Sequence, residues 1–164
     1  MKDEILFAAL REGARIPHRR EEDAGYDIYA CFDEDYRIIA PHTVELIPSG
    51  IASAFPEKYA AILKERGSTG TRGIGQRAGV IDSGYRGEWL IALSNLNDRP
   101  LAIVKKEALD DPALQDCIIY PYEKAICQAI FVPIAALSAR EATIDELLSV
   151  ASERGEGRLG SSGK

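Results

Sequence analysis

Short apolar runs, each ended by turn residues, set the hydrophobic pattern of this chain. Runs rich in β-branched and aromatic residues predict strands, because successive side chains point to opposite faces of a sheet. Turn signals recur about every eight to twelve residues, a spacing typical of an all-β sandwich or barrel. The pattern therefore predicts an all-β domain whose strands cover residues 4–10, 26–30, 36–40, 43–47, 50–54, 59–63, 80–82, 89–95, 101–104 and 123–131.

Residues 79–88, Gly-Val-Ile-Asp-Ser-Gly-Tyr-Arg-Gly-Glu, predict a β-hairpin. Two β-branched residues run into Asp82, the chain turns at Gly84, and a second apolar run begins at Trp89. Glycine permits the positive φ that such a turn often requires. The hairpin would place a carboxylate at the start of its turn and the aromatic ring of Tyr85 just past it. An aspartate in a turn commonly bonds its own backbone, so this feature alone does not establish catalysis.

Helical signals are sparse. Thr143 can cap a short helix over residues 144–150, with Glu146 at the capping-box position. The polar segment 105–116 predicts a surface loop or one helical turn. We therefore expect at most one short helix.

Composition limits the classes of function. The chain has 164 residues, is 46% hydrophobic and carries a net charge of −6 with both signs spread along it, which fits one globular domain. We expect no nucleic-acid partner, because no Lys/Arg-rich block occurs, and no membrane partner, because no apolar run is long enough to span one. Cys31, Cys117 and Cys127 form no Cys-x-x-Cys pair, and their odd number predicts reduced thiols in a cytoplasmic protein.

A candidate phosphate site surrounds Arg66. Residues 64–73 place Gly, Ser and Thr next to this arginine, and backbone amides with hydroxyls in such a segment can hold a phosphate. The same composition also fits a flexible surface loop. Asp27 lies in the predicted strand 26–30, on the opposite face from Tyr26 and Ile28.

Five segments of the chain resemble, in the same order, the five sequence motifs of the trimeric dUTP pyrophosphatases (dUTPases). Residues 24–30, Ala-Gly-Tyr-Asp-Ile-Tyr-Ala, match the first motif at all but one position, and residues 79–88 closely match the third. The other three depart in part. Glu65 and Gly67 replace the usual Pro and Ser of motif two, only the second half of 123–131 fits motif four, and in motif five Leu159 replaces an aromatic residue and Arg158 a Gly. Those segments are 64–73, 123–131 and 154–163.

The resemblance implies a fold and a reaction. The expected fold is a distorted antiparallel jelly-roll β-barrel of the β-clip type over residues 1–152, with residues 153–164 as a flexible C-terminal arm that closes over an active site. The expected reaction is Mg²⁺-assisted hydrolysis of dUTP to dUMP and pyrophosphate, which keeps uracil out of DNA and supplies dUMP for thymidylate synthesis. The expected assembly is a homotrimer in which one chain supplies motifs one, two and four, a second supplies motif three and a third supplies motif five.

The resemblance also implies roles for single residues. Asp82 would be the catalytic base, and Asp27 would contact the metal indirectly, through water. The phosphates would be bound by Arg66, Gly67, Ser68, Gln128 and Arg154. Uracil and deoxyribose would be bound by Gln76, Gly79, Val80, Ile81, Asp82, Tyr85 and Leu159.

Two alternatives remain open at this stage. One is an enzyme like dCTP deaminase, which shares the fold and part of the third motif, although its usual Arg-Ser-Ser is absent from residues 64–73. The other is a non-catalytic domain that binds dUTP as a regulatory signal, in which case the changes at Glu65 and Gly67 would be lesions.

Overall fold

The computed structural model describes residues 3–153 and 155. Within these residues the chain forms twelve short strands and two short α-helices. The strands are β1 (Leu6–Ala9), β2 (Tyr26–Ile28), β3 (Tyr36–Ile39), β4 (Val44–Pro48), β5 (Ile51–Ala54), β6 (Tyr59–Lys64), β7 (Ile74–Arg77), β8 (Val80–Asp82), β9 (Leu90–Asn95), β10 (Leu101–Val104), β11 (Ile118–Pro121) and β12 (Cys127–Pro133). The helices are α1 (Gly67–Gly70) and α2 (Ile144–Ser149). The all-β prediction is confirmed.

Four small sheets surround one hydrophobic core. Their strand orders are β2-β12-β6-β8, β4-β9-β7, β11-β10-β3 and β1-β5. The core contains the fully buried Trp89 and takes at least one buried side chain from each sheet, including Ile28, Ile91, Ile103 and Ile51. Removing such a side chain from water stabilises the fold by about 1.5–3 kcal/mol. The sheets are therefore held together mainly by shared apolar burial.

The prediction of a β-hairpin over residues 79–88 is wrong, although the turn after Asp82 forms. The Tyr85 amide donates to the Asp82 carbonyl at 3.1 Å. Strand β8, however, pairs with β6, whereas β9 lies between β4 and β7 in another sheet. Strand β9 is buried along nearly its whole length, so both of its faces are covered by other parts of the protein. The turn thus carries the chain from one sheet to the next.

Two strands were not predicted, and one of them changes the topology. Strand β7 follows α1, and strand β11 lies parallel to β10, with Ile103 opposite Tyr120. The expected barrel was antiparallel throughout; this parallel pair is an exception to it. Parallel neighbours need a crossover, which residues 105–117 provide. This crossover holds two short 3₁₀-helices and buries Leu114 in a second, small apolar cluster.

The number of helices also differs from the prediction of at most one. Helix α2 is the predicted one, and the Thr143 hydroxyl accepts a hydrogen bond from the Glu146 amide at 3.2 Å. Helix α1 was predicted as a loop. It forms because the Thr69 hydroxyl accepts from the Arg66 amide at 2.9 Å and thereby caps the turn. Neither helix within residues 3–153 is long and apolar enough to cross a membrane.

Candidate active site

An open cleft of about 610 Å³ brings five of the predicted site residues together. Strand β2 and the segment before it form one wall, α1 forms another, and β12 contributes from below. The predicted residues in the lining are Asp27, Arg66, Gly67, Ser68 and Gln128. Residues from three separate segments of the sequence therefore line one cleft.

Arg66 is held from two sides. Its Nε donates to Oδ1 of Asp27 at 3.0 Å, and its Nη1 lies 3.4 Å from the carbonyl oxygen of Ala125. About 30% of each charged side chain is exposed, so solvent weakens the ion pair and its main effect is geometric. Asp27 therefore orients the guanidinium at the wall of the cleft.

Helix α1 presents an open edge to the cleft. Thr69 and Thr71 use their hydroxyls within this turn, since they donate to the carbonyls of Arg66 and Gly67. Ser68 is exposed and lines the cleft. A Cβ at Gly67 would meet nothing within 4 Å, so the glycine that replaces the family serine is not required by packing.

Gln128 is wedged into the floor of the cleft. It pairs in register with Asp27 on β2 and Lys64 on β6. Its Nε2 donates to the carbonyl of Glu65 at 2.8 Å. A Cβ at Gly25 would collide with its Oε1, so only glycine leaves room for this side chain. Gln128 thus links strand β2, which forms one wall of the cleft, to the segment that carries Arg66.

Five of the residues predicted to bind the nucleoside lie in the β7–β8 segment. Gln76 is buried and donates to the carbonyl of Arg77, and Gly79 packs so closely that a Cβ would be 2.7 Å from both Gln76 Oε1 and the Leu63 carbonyl. Val80 is 63% exposed, whereas Ile81 is in the core. The Ile81 side chain is therefore part of the core and is not available to a ligand.

The turn after β8 is firmly fixed. Arg86 Nη1 donates to the carbonyls of Ser83 at 2.6 Å and Tyr85 at 3.0 Å. The Tyr85 hydroxyl donates to the Glu88 carbonyl at 3.0 Å, and Glu88 Oε1 accepts from the Gly50 amide at 2.8 Å. These bonds hold the exposed Asp82 and Tyr85 in place on the surface.

Within one chain, Asp82 is distant from the cleft. Gln128 pairs with Lys64 on β6, whereas Asp82 pairs with Ala60 on the other edge of that strand. Four residues along a strand and two strand spacings across the sheet correspond to roughly 16 Å between the Cα atoms of Gln128 and Asp82. One chain therefore does not bring the predicted base to the predicted phosphate site.

A family model for dUTPase matches residues 11–109, more than half of the chain. The chain belongs to the dUTPase family. A dUTPase of Neisseria meningitidis is 33% identical over 144 residues, covering 85% of this chain and 81% of the relative. A dUTPase of Leptospira interrogans is 36% identical over 103 residues, covering 60% and 70% respectively.

Solved dUTPase structures have the same fold. A dUTPase of Staphylococcus bacteriophage 80alpha with dUpNHpp has a TM-score of 0.76 at 22% identity, covering 98% of both chains. A dUTPase of Staphylococcus aureus phage phi11, described with a structural Mg(II) ion, has a TM-score of 0.67 at 23% identity, covering 85% of this chain and 96% of that one. The β-rich dUTPase fold predicted from the motifs is thereby confirmed.

In this dUTPase the cleft also contains residues that the motif comparison did not select. Arg19, Arg20, Glu22 and Asp23 line the wall formed by the segment before β2. Arg19 donates to three carbonyls of this segment and so fixes it, and the Arg20 guanidinium lowers the pKa of Asp23. The charged run at residues 19–23, two arginines followed by three acidic residues, was the signal in the sequence that could have identified them. Arg154 and Leu159, by contrast, lie outside the described residues.

The described donors of this cleft suit a metal ion that is carried by the substrate phosphates. No group of three or more metal-ligating side chains occurs in the described part of the chain, and Asp27 already accepts from Arg66 through Oδ1. Mg²⁺ commonly keeps several waters and is bound by one or two carboxylates together with substrate phosphates. The available donors suit this arrangement, with Asp27 as a water-mediated contact.

Proposed function

We propose that the protein hydrolyses dUTP to dUMP and pyrophosphate with the help of Mg²⁺, in a cytoplasmic setting where this reaction keeps uracil out of DNA and supplies dUMP for thymidylate synthesis. The observation that carries the proposal is the cleft in which Arg66, Gly67, Ser68 and Gln128 converge, in a chain of the dUTPase family. The free thiols of Cys31, Cys117 and Cys127 support a reducing compartment.

The cleft holds the triphosphate by charge and by hydrogen bonds. Arg66 supplies a guanidinium that Asp27 already orients, and the exposed edge of α1 supplies the Ser68 hydroxyl and backbone amides. A bound Mg²⁺ would neutralise phosphate charge, which otherwise repels a nucleophile. The protein groups keep the phosphates aligned for displacement at the α-phosphorus.

Asp82 acts as general base. Its carboxylate accepts a proton from water while the water oxygen bonds to the α-phosphorus, and the bond to the bridging oxygen breaks to release pyrophosphate. The backbone of Gly79, Val80 and Ile81 reads uracil, and Gln76 holds that segment in place. Tyr85, fixed through its hydroxyl, packs on deoxyribose and excludes a 2′-hydroxyl.

A homotrimer with shared active sites completes this arrangement. The separation of roughly 16 Å between Asp82 and Gln128 within one chain supports it, because a base must lie within hydrogen-bond reach of its water. Exposed apolar side chains also support association between copies, among them Val44 and Leu46 on β4 and Leu147 and Leu148 on α2. We therefore assign the cleft to one chain and Asp82 with Tyr85 to a second.

The C-terminal arm, residues 153–164, supplies the remaining contacts of the proposed site. Its sequence matches the fifth motif, and Arg154 and Leu159 would contact the phosphates and the base. The described residues 144–153 that lead to it are all exposed. A chain that ends at Glu153 should therefore keep its apo melting temperature within about 2 °C but lose at least a hundredfold in kcat/KM for dUTP. If the truncated chain kept full activity, the C-terminal arm would not be part of the active site.

An assay of pyrophosphate release separates the proposal from its alternatives. The full-length protein is incubated with dUTP, UTP or dCTP, with and without Mg²⁺. We expect far more pyrophosphate to be released from dUTP than from UTP, and we expect this release to depend on Mg²⁺. Ammonia release from dCTP would instead identify a deaminase, and tight binding of dUTP without pyrophosphate release would identify a regulatory domain.

Gly25→Ala is expected to lower kcat/KM for dUTP by about 10- to 100-fold, because the added methyl group must displace Gln128 from the cleft floor. The matched test adds the same change to Gln128→Ala, in which most of the collision is gone. In the Gln128→Ala background, Gly25→Ala should lower kcat/KM for dUTP by less than about threefold. Equal losses in both backgrounds would mean that Gly25 acts independently of Gln128.

A further inference from the structure

The carbonyl oxygen of Ala125 contacts both Arg66 and the hydroxyl of Tyr120, a residue outside the five motifs. The Ala125 carbonyl lies 3.4 Å from Arg66 Nη1, and the same oxygen accepts from the Tyr120 hydroxyl at 2.6 Å. A carbonyl has two lone pairs and can accept both donors. The tyrosine bond is short, whereas the arginine contact is at the long end of the hydrogen-bond range. The phenol therefore fixes this carbonyl more strongly than the arginine does.

Tyr120 is buried for its whole length. It lies on β11, opposite Ile103 of β10, and only 3% of it is exposed. Burial raises the pKa of its hydroxyl, an effect that the nearby Arg66 partly offsets, so the group keeps its proton at neutral pH. The hydroxyl is thus a permanent donor, and leaving a buried polar group without its partner would be costly.

The Tyr120 ring also lies near the residue that fixes the backbone of Arg66. Tyr120 and Thr69 border the same small apolar gap in the core. Thr69 bonds the backbone of Arg66 in both directions, as acceptor from its amide and as donor to its carbonyl. The tyrosine thus donates to the carbonyl beside the guanidinium and lines the same small cavity as the residue that fixes the Arg66 backbone.

We propose that Tyr120 is a positioning residue for Arg66: its hydroxyl fixes the Ala125 carbonyl, and this carbonyl with Asp27 sets the direction of the guanidinium in the phosphate cleft. The inference rests on the proposed function for its consequence in catalysis. It also gives the crossover 105–117 a role, because that crossover places β11 beside β10 and so brings the Tyr120 hydroxyl to the Ala125 carbonyl.

Tyr120→Phe tests the inference in two backgrounds. In the full-length protein we expect kcat/KM for dUTP and affinity for dUpNHpp to fall about three- to tenfold, the size of one neutral hydrogen bond. In an Arg66→Ala background the same change should alter dUpNHpp affinity by less than about twofold, since the group it positions is gone. Equal losses in both backgrounds would overturn the inference in favour of a general structural role, and so would no loss in either.

Tyr122→Phe is the matched control. It removes a hydroxyl two residues away, from a ring that packs edge-on against Phe32 at 5.0 Å, and should leave dUpNHpp affinity unchanged. The Nε–H resonance of Arg66 in the ligand-free protein gives an independent readout, expected to shift in Tyr120→Phe and not in Tyr122→Phe. An unshifted resonance contradicts the inference. A wild-type protein that fails to bind dUpNHpp contradicts the proposed function instead, and the resonance still decides the role of Tyr120.

Discussion

Asp82→Asn should lower kcat for dUTP by about 10²–10⁴-fold, the usual contribution of a general base. Asparagine keeps the size of the side chain but cannot accept the proton of the attacking water. The turn should survive, because its hydrogen bond to the Tyr85 amide uses the backbone carbonyl of Asp82, and β8 pairs with β6 through the backbone. Affinity for dUpNHpp should therefore stay within about threefold of wild type.

Steady-state kinetics with dUTP and calorimetric titration with dUpNHpp measure the two quantities separately. Asp98→Asn is a suitable control, because it removes an exposed turn carboxylate whose partner is His42. This control should keep wild-type kcat. A kcat within about threefold of wild type in Asp82→Asn would show that another group takes the proton.

Two inactive variants should restore activity when their chains are mixed. In the proposed trimer, Arg66 and Asp82 of one site come from different chains. Co-expressed Arg66→Ala and Asp82→Asn chains would then form some sites with both residues intact. Each variant alone should lose at least about a hundredfold in kcat. With random assembly, about one quarter of the sites in the mixture carry both intact residues, so kcat per site should recover to about one quarter of the wild-type value.

The control mixture combines Arg66→Ala with Gln128→Ala. Both residues line the same cleft of one chain, so every site in the mixed trimer carries one defect. This mixture should stay near the activity of its parents. Equal recovery in both mixtures, or recovery in neither, would contradict active sites that are shared between chains as proposed. Sedimentation equilibrium of each mixture establishes that trimers have formed.

Local sequence determined most of the strands of this protein, the helix α2 and several of the residues that line its cleft. Strands such as β10 were predictable because their apolar runs end at clear turn signals, and α2 because Thr143 caps it. The grouping of Asp27, Arg66 and Gln128 followed from motif order. These features were predictable because each depends either on interactions between residues close in sequence or on a sequence motif of the family.

Tertiary structure alone decided how those elements pair and what supports the cleft. The sequence between β8 and β9 predicts a hairpin, yet β9 is buried between β4 and β7, and only their long-range burial selects that pairing over the local one. The contact of Gln128 with Gly25 and the bond from Tyr120 to Ala125 depend likewise on strands distant in sequence. Periodicity fixes which face of a strand is apolar but not which strand lies beside it, because that choice depends on packing summed over the whole core.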